Sequence, residues 1–255
     1  MCLKLASEAR GLYSKLMQKG YVISDLHMFA RWSHPRKYVK QMHQAARGAD
    51  FFVLNGDIFD LRWSILPDVE ATIDAAIDWL GEFANAHPNC TVYYILGNHD
   101  AFEGLASRVD DLARKTKNLQ WRPAYLRMGG VLFTHGDLFW RGERSSFDRS
   151  LPTSAVRITR VIGWAYHLIH TIQATRVFHA MWPAMRCARH IERSLANAPK
   201  ELTDGITDIY CGHTHTAVSD FVHNGLTFHN TGSGIRGLRC NICEVSVPDG
   251  AEVSP

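Results

Sequence analysis

With 255 residues and a net charge of +3, the chain is long enough to bury a full core, most simply as one large domain. Hydrophobic residues make up 46% and charged residues 21%, which is ordinary for a soluble globular protein. No run approaches the roughly 18 apolar residues that a spanning helix needs, and this excludes a transmembrane protein.

The N-terminal segment is charged rather than continuously apolar, so we expect no signal peptide. Leu3, Leu12 and Leu16 favour a short amphipathic helix there. The six cysteines lack the spacing of a secreted disulfide framework, which predicts a reducing compartment, the cytoplasm. Cys240 and Cys243 form a lone CxxC, and the alternating stretch 238–247 around it predicts an ordinary terminal strand.

Strand and helix patterns alternate in the first half of the chain, as in βαβ units with a mostly parallel sheet. The predicted elements are strands at 21–24, 51–54 and 91–96 and helices near 36–47, 69–86 and 105–117. After Trp121 the pattern changes to short strands at 125–128, 131–134, 217–222 and 226–230. The last two flank Asn224-Gly225, which predicts a hairpin.

A basic helical segment occupies residues 138–202. It has ten basic and four acidic residues, so its net charge of about +6 exceeds that of the whole chain. An apolar stripe at helical spacing extends from Ile158 to Ile172. We expect one domain over residues 1–255 with a helical lid inserted at about 138–202.

Five short motifs rich in metal-ligand residue types each follow an apolar run that predicts a strand. They are Asp25-Leu26-His27, Gly56-Asp57-Ile58-Phe59-Asp60, Gly97-Asn98-His99-Asp100, His135-Gly136-Asp137 and Gly212-His213-Thr214-His215. Loops at the carboxyl ends of strands build the ligand sites of open α/β sheets. Asp, His and Asn donors suit Mn²⁺, Fe²⁺ or Zn²⁺, and the motifs contain no cysteine. Each motif alone could be a turn or a cap, but the set predicts one metal-binding cleft.

The order and wording of these motifs resemble the calcineurin-like metallophosphoesterases over residues 21–235. The resemblance implies an α/β fold in which two mixed β-sheets pack as a sandwich flanked by helices. It also implies an enzyme, a hydrolase of phosphoric esters or pyrophosphates with two divalent ions, Mn²⁺ before Fe²⁺ or Zn²⁺. The implied metal ligands are Asp25, His27, Asp57, Asn98, His135, His213 and His215.

Within this set, the resemblance implies that Asp57 bridges the two ions. His99 resembles the family's leaving-group acid or transition-state stabiliser, and Asp100 is expected to orient it. Asp60 either holds a ligand histidine or caps the following loop, and Asp137 either orients His135 or closes a turn. The glycine-rich turn at 230–234 either approaches the site or serves only as a turn.

Three motifs and the basic insertion look like those of the bacterial UDP-2,3-diacylglucosamine diphosphatases. That group cleaves the pyrophosphate of a UDP-linked diacyl sugar in lipid A synthesis, and its insertion covers the acyl chains. The best-known members carry Arg where His99 stands, so a relative with another substrate is an open alternative. The resemblance implies a phosphorylated or lipid-linked nucleotide substrate and peripheral contact with an anionic membrane at its inner face.

Two other functions remain as alternatives. A nuclease of the same superfamily would carry basic residues around the cleft and a separate nucleic-acid-binding region, so we expect no nucleic acid partner. A non-catalytic scaffold on this fold would lose ligands, whereas every expected ligand is present.

Overall fold

The framework is a pair of β-sheets, seen in a computed structural model that describes residues 17–140, 149–154, 184–196 and 198–254. The first sheet has the strand order β10-β1-β2-β3-β4. Its strands are β1 (Met17–Ile23), β2 (Phe51–Asn55), β3 (Thr91–Ile95), β4 (Leu119–Arg122) and β10 (Cys243–Pro248). Strands β1 to β4 are parallel and β10 is antiparallel to β1. Every residue of β2 is buried, as expected for a strand covered on both faces.

The second sheet is mixed, with the strand order β11-β5-β6-β7-β9-β8. Its strands are β5 (Tyr125–Met128), β6 (Val131–Thr134), β7 (Asp208–Cys211), β8 (Val218–His223), β9 (Leu226–Asn230) and β11 (Val253–Ser254). The pairs β6–β7 and β7–β9 are parallel, and the other pairs are antiparallel. The carboxyl ends of β6 and β7 therefore lie at the same edge of this sheet.

Helices cover the outer faces of both sheets. They are α1 (Arg36–Ala46), α2 (Val69–Asn85), α3 (Glu103–Lys115), α4 (Ala184–Leu195) and α5 (Lys200–Thr203), with a 3₁₀ turn at Asp137–Trp140. Helix α2 begins where the Asp68 carboxylate accepts a hydrogen bond from the Ala71 amide at 2.7 Å. In the described part of the chain, no helix combines the length and apolar character needed to cross a bilayer.

Three apolar layers hold the sandwich together. Helices α1 to α3 pack on the first sheet through side chains such as Met42, Leu80 and Val109. Phe51 and Phe133 meet between the sheets, with ring centroids 6.4 Å apart. The third layer joins the second sheet to α4. Burial of these faces removes apolar surface from water, the dominant favourable term in folding.

The predicted sandwich of two mixed sheets with flanking helices is confirmed. Strand β4 was not predicted, because Gln120 and Arg122 interrupt its apolar character at the edge of the first sheet. Strand β10 begins at Cys243, later than the alternating pattern from Leu238 indicates. The expected N-terminal helix and the stripe Ile158–Ile172 lie outside the described residues.

Both ends of the basic segment 138–202 belong to the core rather than to a detachable lid. Phe139 is buried, and Ala188, Ile191 and Leu195 of α4 pack in the same layer. The His190 Nε2 donates a hydrogen bond to the Phe139 carbonyl at 2.6 Å. The lid therefore remains a prediction only for the part of the segment between these anchors.

Candidate metal centre

The five motifs meet at one end of the sandwich. Three follow β1, β2 and β3 of the first sheet, and two follow β6 and β7 of the second. Because parallel strands end at the same edge, loops that are far apart in sequence converge there. The carboxylates of Asp25 and Asp57 and the ring of His135 are buried in this cleft.

One group of donors consists of Asp25, His27 and His215. The Asp25 Oδ1 lies 3.2 Å from the His215 Nε2 and 3.9 Å from the His27 Nε2. The two histidine Nε2 atoms are 3.2 Å apart. The geometry of these three residues could hold one metal ion.

A second group consists of Asn98, His135 and His213. The Asn98 Oδ1 lies 2.9 Å from the His213 Nδ1 and 3.3 Å from the His135 Nε2. The Asp57 Oδ2 is 3.1 Å from the His135 Nε2 and 3.9 Å from the His27 Nε2 of the first group. Asp57 thus lies between the two groups, where a bridging carboxylate would be.

Five of these seven separations, from 2.9 to 3.3 Å, fit donors that share a divalent cation, and the two of 3.9 Å are longer. Donors bound at about 2.1 Å to one ion lie about 3.0–3.4 Å from each other when the angle between them is about 90–110°. The seven donors are nitrogen and oxygen atoms, which suit Mn²⁺, Fe²⁺ or Zn²⁺ better than a soft metal. The residues therefore fit the two ions that the family resemblance implies.

The electrostatics of the cleft favour bound cations. Burial raises the pKa of Asp57, but the charges of His135, His99 and His27 and a hydrogen bond to His135 together outweigh it and hold that pKa well below the usual range. Burial lowers the pKa of His135, and the charges of Asp57 and Asp25 then raise it to about 10. Burial and the His135 charge lower the pKa of His213 to about 4. His213 is therefore neutral at pH 7, the form that binds metal.

The backbone is left-handed at five of the seven predicted ligands. Asp25, His27, Asp57, His213 and His215 have φ values of 52°, 48°, 52°, 65° and 57°. L-residues rarely adopt this conformation, and such outliers concentrate at functional sites. The strained backbone at these positions lowers the stability of the fold, which indicates that the directions of the side chains serve a function.

Two glycines lie against the ligand carboxylates. A Cβ atom at Gly97 would be 2.2 Å from the Asp57 Oδ1, and one at Gly212 would be 2.2 Å from the Asp25 Oδ2. At Gly97 the Asp57 backbone nitrogen would also be only 2.5 Å away. Glycine at positions 97 and 212 is therefore required by close approach to the ligand carboxylates.

We expect Gly97→Ala to lower the free energy of unfolding by about 1–3 kcal/mol, because the added methyl overpacks the Asp57 loop. It should also weaken metal binding, because the Asp57 carboxylate must move. Gly48→Ala is the matched control, since its Cβ would meet nothing within 4 Å. Chemical denaturation and metal titration of both variants test this, and equal behaviour of the two would contradict it.

The turn at 230–234 holds the backbone of Asp25 through hydrogen bonds. The Ser233 hydroxyl and the Gly234 amide each donate a hydrogen bond to the Asp25 carbonyl at 2.9 Å. The Ser24 amide donates to the Thr231 hydroxyl at 3.0 Å. This turn thus approaches the site, one of the two alternatives that its sequence leaves open.

The two oxygens of the Asp60 carboxylate contact two histidine side chains and two backbone amides. Its Oδ2 lies 3.1 Å from the His27 Nδ1 and 3.2 Å from the His99 Nδ1. Its Oδ1 accepts hydrogen bonds from the amides of Arg62 and Trp63 at 3.1 and 2.8 Å. Both roles considered for Asp60, holding a ligand histidine and capping a loop, are therefore present together.

His99 stands at the edge of the donor groups, and its side chain is 20% exposed. Its amide donates a hydrogen bond to the Asp57 Oδ1 at 2.7 Å. Burial lowers the pKa of His99, but the charges of Asp60 and Asp57 outweigh it and raise the pKa to about 9. These contacts favour a protonated imidazole beside the site.

The expected role of Asp100 is wrong. Its carboxylate is fully buried and accepts hydrogen bonds from the amides of Gly97 at 2.6 Å and Ile58 at 3.0 Å. Burial and the Asp57 charge raise its pKa to about 6. Asp100 therefore ties two site loops together, and the carboxylate beside His99 is that of Asp60.

We expect Asp60→Ala to lower metal affinity or activity by about 10–100-fold, because a ligand histidine loses the group that orients it. Asp60→Asn is the matched variant, since its amide oxygen still accepts from the loop amides. Because Asp60→Asn lacks the negative charge beside His27 and His99, it should restore stability relative to Asp60→Ala without restoring activity. Thermal unfolding and turnover of both variants separate loop capping from orientation of the histidines. Full activity of Asp60→Asn would contradict a role of the Asp60 charge in orienting the histidines.

Sequence reasoning missed two further supporting groups. The Asp137 carboxylate pairs with both terminal nitrogens of the buried Arg149 guanidinium, at 2.8 Å for Nη1. The Asn55 carbonyl lies 3.3 Å from the His135 Nδ1. Asn55 is adjacent to the Gly56 motif in sequence, whereas no local pattern pairs residues 137 and 149.

The fold and the donor set together define a metal-dependent phosphoester hydrolase. A family model described as calcineurin-like phosphoesterase matches residues 20–217, and the chain belongs to that family. The family implies two divalent metals, for which the cleft has candidate ligand groups. Among curated proteins, none matches the chain significantly.

The chain is also similar to a solved structure of a dimetal phosphatase from Danio rerio. The alignment covers 91% of this chain and 98% of that one, with 11% sequence identity and a TM-score of 0.48.

Proposed function

We propose that the protein hydrolyses a phosphodiester or pyrophosphate bond at a binuclear metal centre, and that its substrate is a nucleotide-linked acylated sugar. The convergence of seven donors from five strand ends, with Asp57 between two groups, is the observation that carries the binuclear assignment. The proposed substrate is a more specific assignment, and the position of the basic segment supports it.

In this proposal, Asp25, His27 and His215 would hold one ion, and Asn98, His135 and His213 would hold the other. The Asp57 carboxylate, which lies between the two groups, would serve both. Two ions held there would supply Lewis-acid charge and would lower the pKa of a water molecule. The strand-end loops of the fold hold these side chains around one cleft.

His99 acts on the leaving group in this scheme. Its Nδ1 faces Asp60, so its Nε2 is the nitrogen available to the substrate. As the bond from phosphorus to the leaving oxygen breaks, the Nε2 donates its proton to that oxygen. A water oxygen forms the new bond to phosphorus, and its proton passes to solvent. Asp60 stabilises the protonated imidazole before the transfer.

The position of the basic segment supports a substrate larger than the phosphoryl group. Residues 149–154 lie beside the His99 loop, where the Pro152 carbonyl accepts a hydrogen bond from the Glu103 amide at 3.1 Å. Cys187 of α4 contacts Thr214 of the His213 loop. The described ends of the basic segment therefore contact two of the loops that carry site residues.

A hydrolysis panel with Mn²⁺ tests the substrate assignment. It should compare a UDP-linked diacyl sugar, the same UDP sugar without acyl chains, an aryl phosphodiester, a cyclic nucleotide and single-stranded DNA. We expect kcat/KM for the acylated sugar to exceed that for its deacylated partner by about 10²-fold or more, because remote binding energy assists the reaction. Equal kcat/KM values for the acylated and deacylated sugars would rule out the proposed substrate, but the assignment as a phosphoester hydrolase would stand.

Replacement of residues 155–183 by a short Gly/Ser linker should spare hydrolysis of the aryl phosphodiester and sharply lower activity on the acylated sugar. The change leaves Phe139 and α4 in place, because their apolar side chains belong to the core. Circular dichroism and metal content establish that the variant is folded. A folded, metal-loaded variant that cleaves the acylated sugar normally would rule out the lid.

A further inference from the structure

Two buried hydroxyl groups, those of Ser24 and Thr231, lie behind the side chain of Asp25 and are called here the hydroxyl pair. The Ser24 Oγ is 2.5 Å from the Asp25 Oδ2, a length that is typical of a hydroxyl bound to an ionised carboxylate. The Thr231 Oγ1 is 2.6 Å from the Ser24 Oγ. All three residues are buried, so these hydrogen bonds are shielded from bulk water.

The arrangement determines which atom donates in each of these contacts. A carboxylate that binds metal is ionised and can only accept, so the single proton of the Ser24 hydroxyl goes to the Asp25 Oδ2. The Ser24 Oγ then offers only lone pairs, and the Thr231 hydroxyl must be the donor between the two hydroxyls. The Thr231 oxygen itself accepts a hydrogen bond from the Ser24 amide at 3.0 Å. The hydroxyl pair is therefore ordered in one direction, from Thr231 through Ser24 to Asp25.

The two oxygens of the Asp25 carboxylate have different surroundings. The Oδ1 lies 3.2 Å from the His215 Nε2, on the side of the other predicted ligands. The Oδ2 accepts the Ser24 hydroxyl, and a Cβ atom at Gly212 would be only 2.2 Å from it. The His213 amide is 3.1 Å from both oxygens and does not distinguish them. The Oδ2 is therefore enclosed by the protein, whereas the Oδ1 faces the ligand histidine.

The hydroxyl pair also joins the two sheets at the metal centre. Ser24 directly follows β1 of the first sheet, and Thr231 directly follows β9 of the second. Asn230, the last residue of β9, donates a hydrogen bond from Nδ2 to the Gly212 carbonyl at 2.8 Å. The end of β9 thus holds the loop that carries His215 as well as the side chain of Asp25. Two ligands of the same predicted ion are fixed by one strand end.

We propose that the hydroxyls of Ser24 and Thr231 are positioning groups that make Asp25 bind its metal ion through Oδ1 alone. The Ser24 hydroxyl holds the Oδ2, and the Thr231 hydroxyl orients the Ser24 hydroxyl. Loss of either hydroxyl leaves a buried polar atom without its partner and releases the carboxylate. Groups that orient metal ligands in this way contribute to metal affinity. The inference rests on the binuclear centre of the proposed function and is independent of its substrate.

Calorimetric titration of Mn²⁺ into the metal-free full chain tests the proposal. We expect Ser24→Ala and Thr231→Val to lower the affinity for one of two ions by about 10–100-fold, because the ligand Asp25 is no longer oriented. The affinity for the other ion should change much less, since Asp25 is not among its predicted ligands. Thr231→Ser keeps the hydroxyl and should bind both ions like the wild type.

Thr72→Val is the matched control for Thr231→Val. Thr72 is a fully buried residue of α2, and its hydroxyl is 2.9 Å from the Ser64 Oγ and 2.8 Å from the Asp68 carbonyl. Both variants remove a buried hydroxyl that has two hydrogen-bond partners, so both should unfold at lower urea concentration than the wild type. Only Thr231→Val should lose Mn²⁺ affinity. An equal loss of Mn²⁺ affinity in Thr72→Val would show a general effect of destabilisation and would overturn the proposal.

The double variant Ser24→Ala with Thr231→Val tests the order of the hydroxyl pair. Because Thr231 acts on Asp25 through Ser24, the double variant should have the Mn²⁺ affinity of Ser24→Ala alone. Independent effects would instead add in free energy, so the fold-losses of the two single variants would multiply. A fully multiplied loss would therefore overturn the inferred order.

Urea unfolding without metal establishes that each variant is folded, and the comparison of Thr231→Val with Thr231→Ser gives the same test if Ser24→Ala does not fold. Unchanged Mn²⁺ affinity in a folded Ser24→Ala or Thr231→Val protein would overturn the positioning role and leave the binuclear assignment standing. A wild type that binds fewer than two Mn²⁺ ions would overturn the binuclear assignment and this inference with it. Loss of affinity for one ion, with recovery in Thr231→Ser, would support the proposal.

Discussion

Asp57→Ala should abolish hydrolysis, with a loss of about 10⁴-fold or more in kcat/KM. The Asp57 Oδ2 lies 3.1 Å from the His135 Nε2 and 3.9 Å from the His27 Nε2, so it is the donor that both candidate metal groups share. Without this carboxylate, two divalent ions would repel each other with no negative charge between them. Turnover of an aryl phosphodiester with excess Mn²⁺ measures the loss.

Asp78→Ala is the matched control for this change. Asp78 is an exposed aspartate on α2, away from the strand-end loops, and its removal should leave turnover unchanged. Unfolding curves of both variants establish that Asp57→Ala is folded. Near-normal turnover of a folded Asp57→Ala protein would contradict the bridging role.

His99→Ala should lower kcat by about 10²–10⁴-fold while metal content stays nearly intact. His99 is outside the two donor groups, and its Nδ1 lies 3.2 Å from the Asp60 Oδ2. Asp60 and Asp57 raise its pKa to about 9 against the effect of burial, so the imidazole is a proton donor at neutral pH. Steady-state kinetics with elemental analysis of the same preparation measure both quantities.

A leaving-group series separates proton donation from positioning. If His99 donates a proton, the loss in His99→Ala should shrink for aryl esters whose leaving groups have a low pKa, since these depart without protonation. Equal losses across the series would overturn the acid role and favour electrostatic stabilisation. His99→Arg is the informative second variant, because it keeps a positive charge but does not donate a proton readily.

Much of the fold was predictable because its signals are local. The runs 21–23, 51–54 and 92–95 are apolar or aromatic, as buried parallel strands require, and all three lie in strands of the first sheet. Asn224-Gly225 predicted the hairpin between β8 and β9 in the same way. Convergence of the motifs follows from the rule that parallel strands end at the same edge.

The partners of individual site residues were less predictable, because they depend on side-chain directions within tight turns. Asp100 follows His99 in sequence, yet the amides of Gly97 and Ile58 draw its carboxylate into the interior. Asp60 instead reaches His99 across 39 positions of the chain. The left-handed backbone at the ligands has no sequence signal either, since these residues are not glycine.

The number of divalent ions bound per chain tests the central claim most directly. Elemental analysis should be made on the wild type, Asp78→Ala and Asp57→Ala after gel filtration in metal-free buffer. The account predicts two ions per chain in the first two proteins and fewer than two in Asp57→Ala. A fully active wild type with one ion or none, or an Asp57→Ala protein that retains two tightly bound ions, would contradict it.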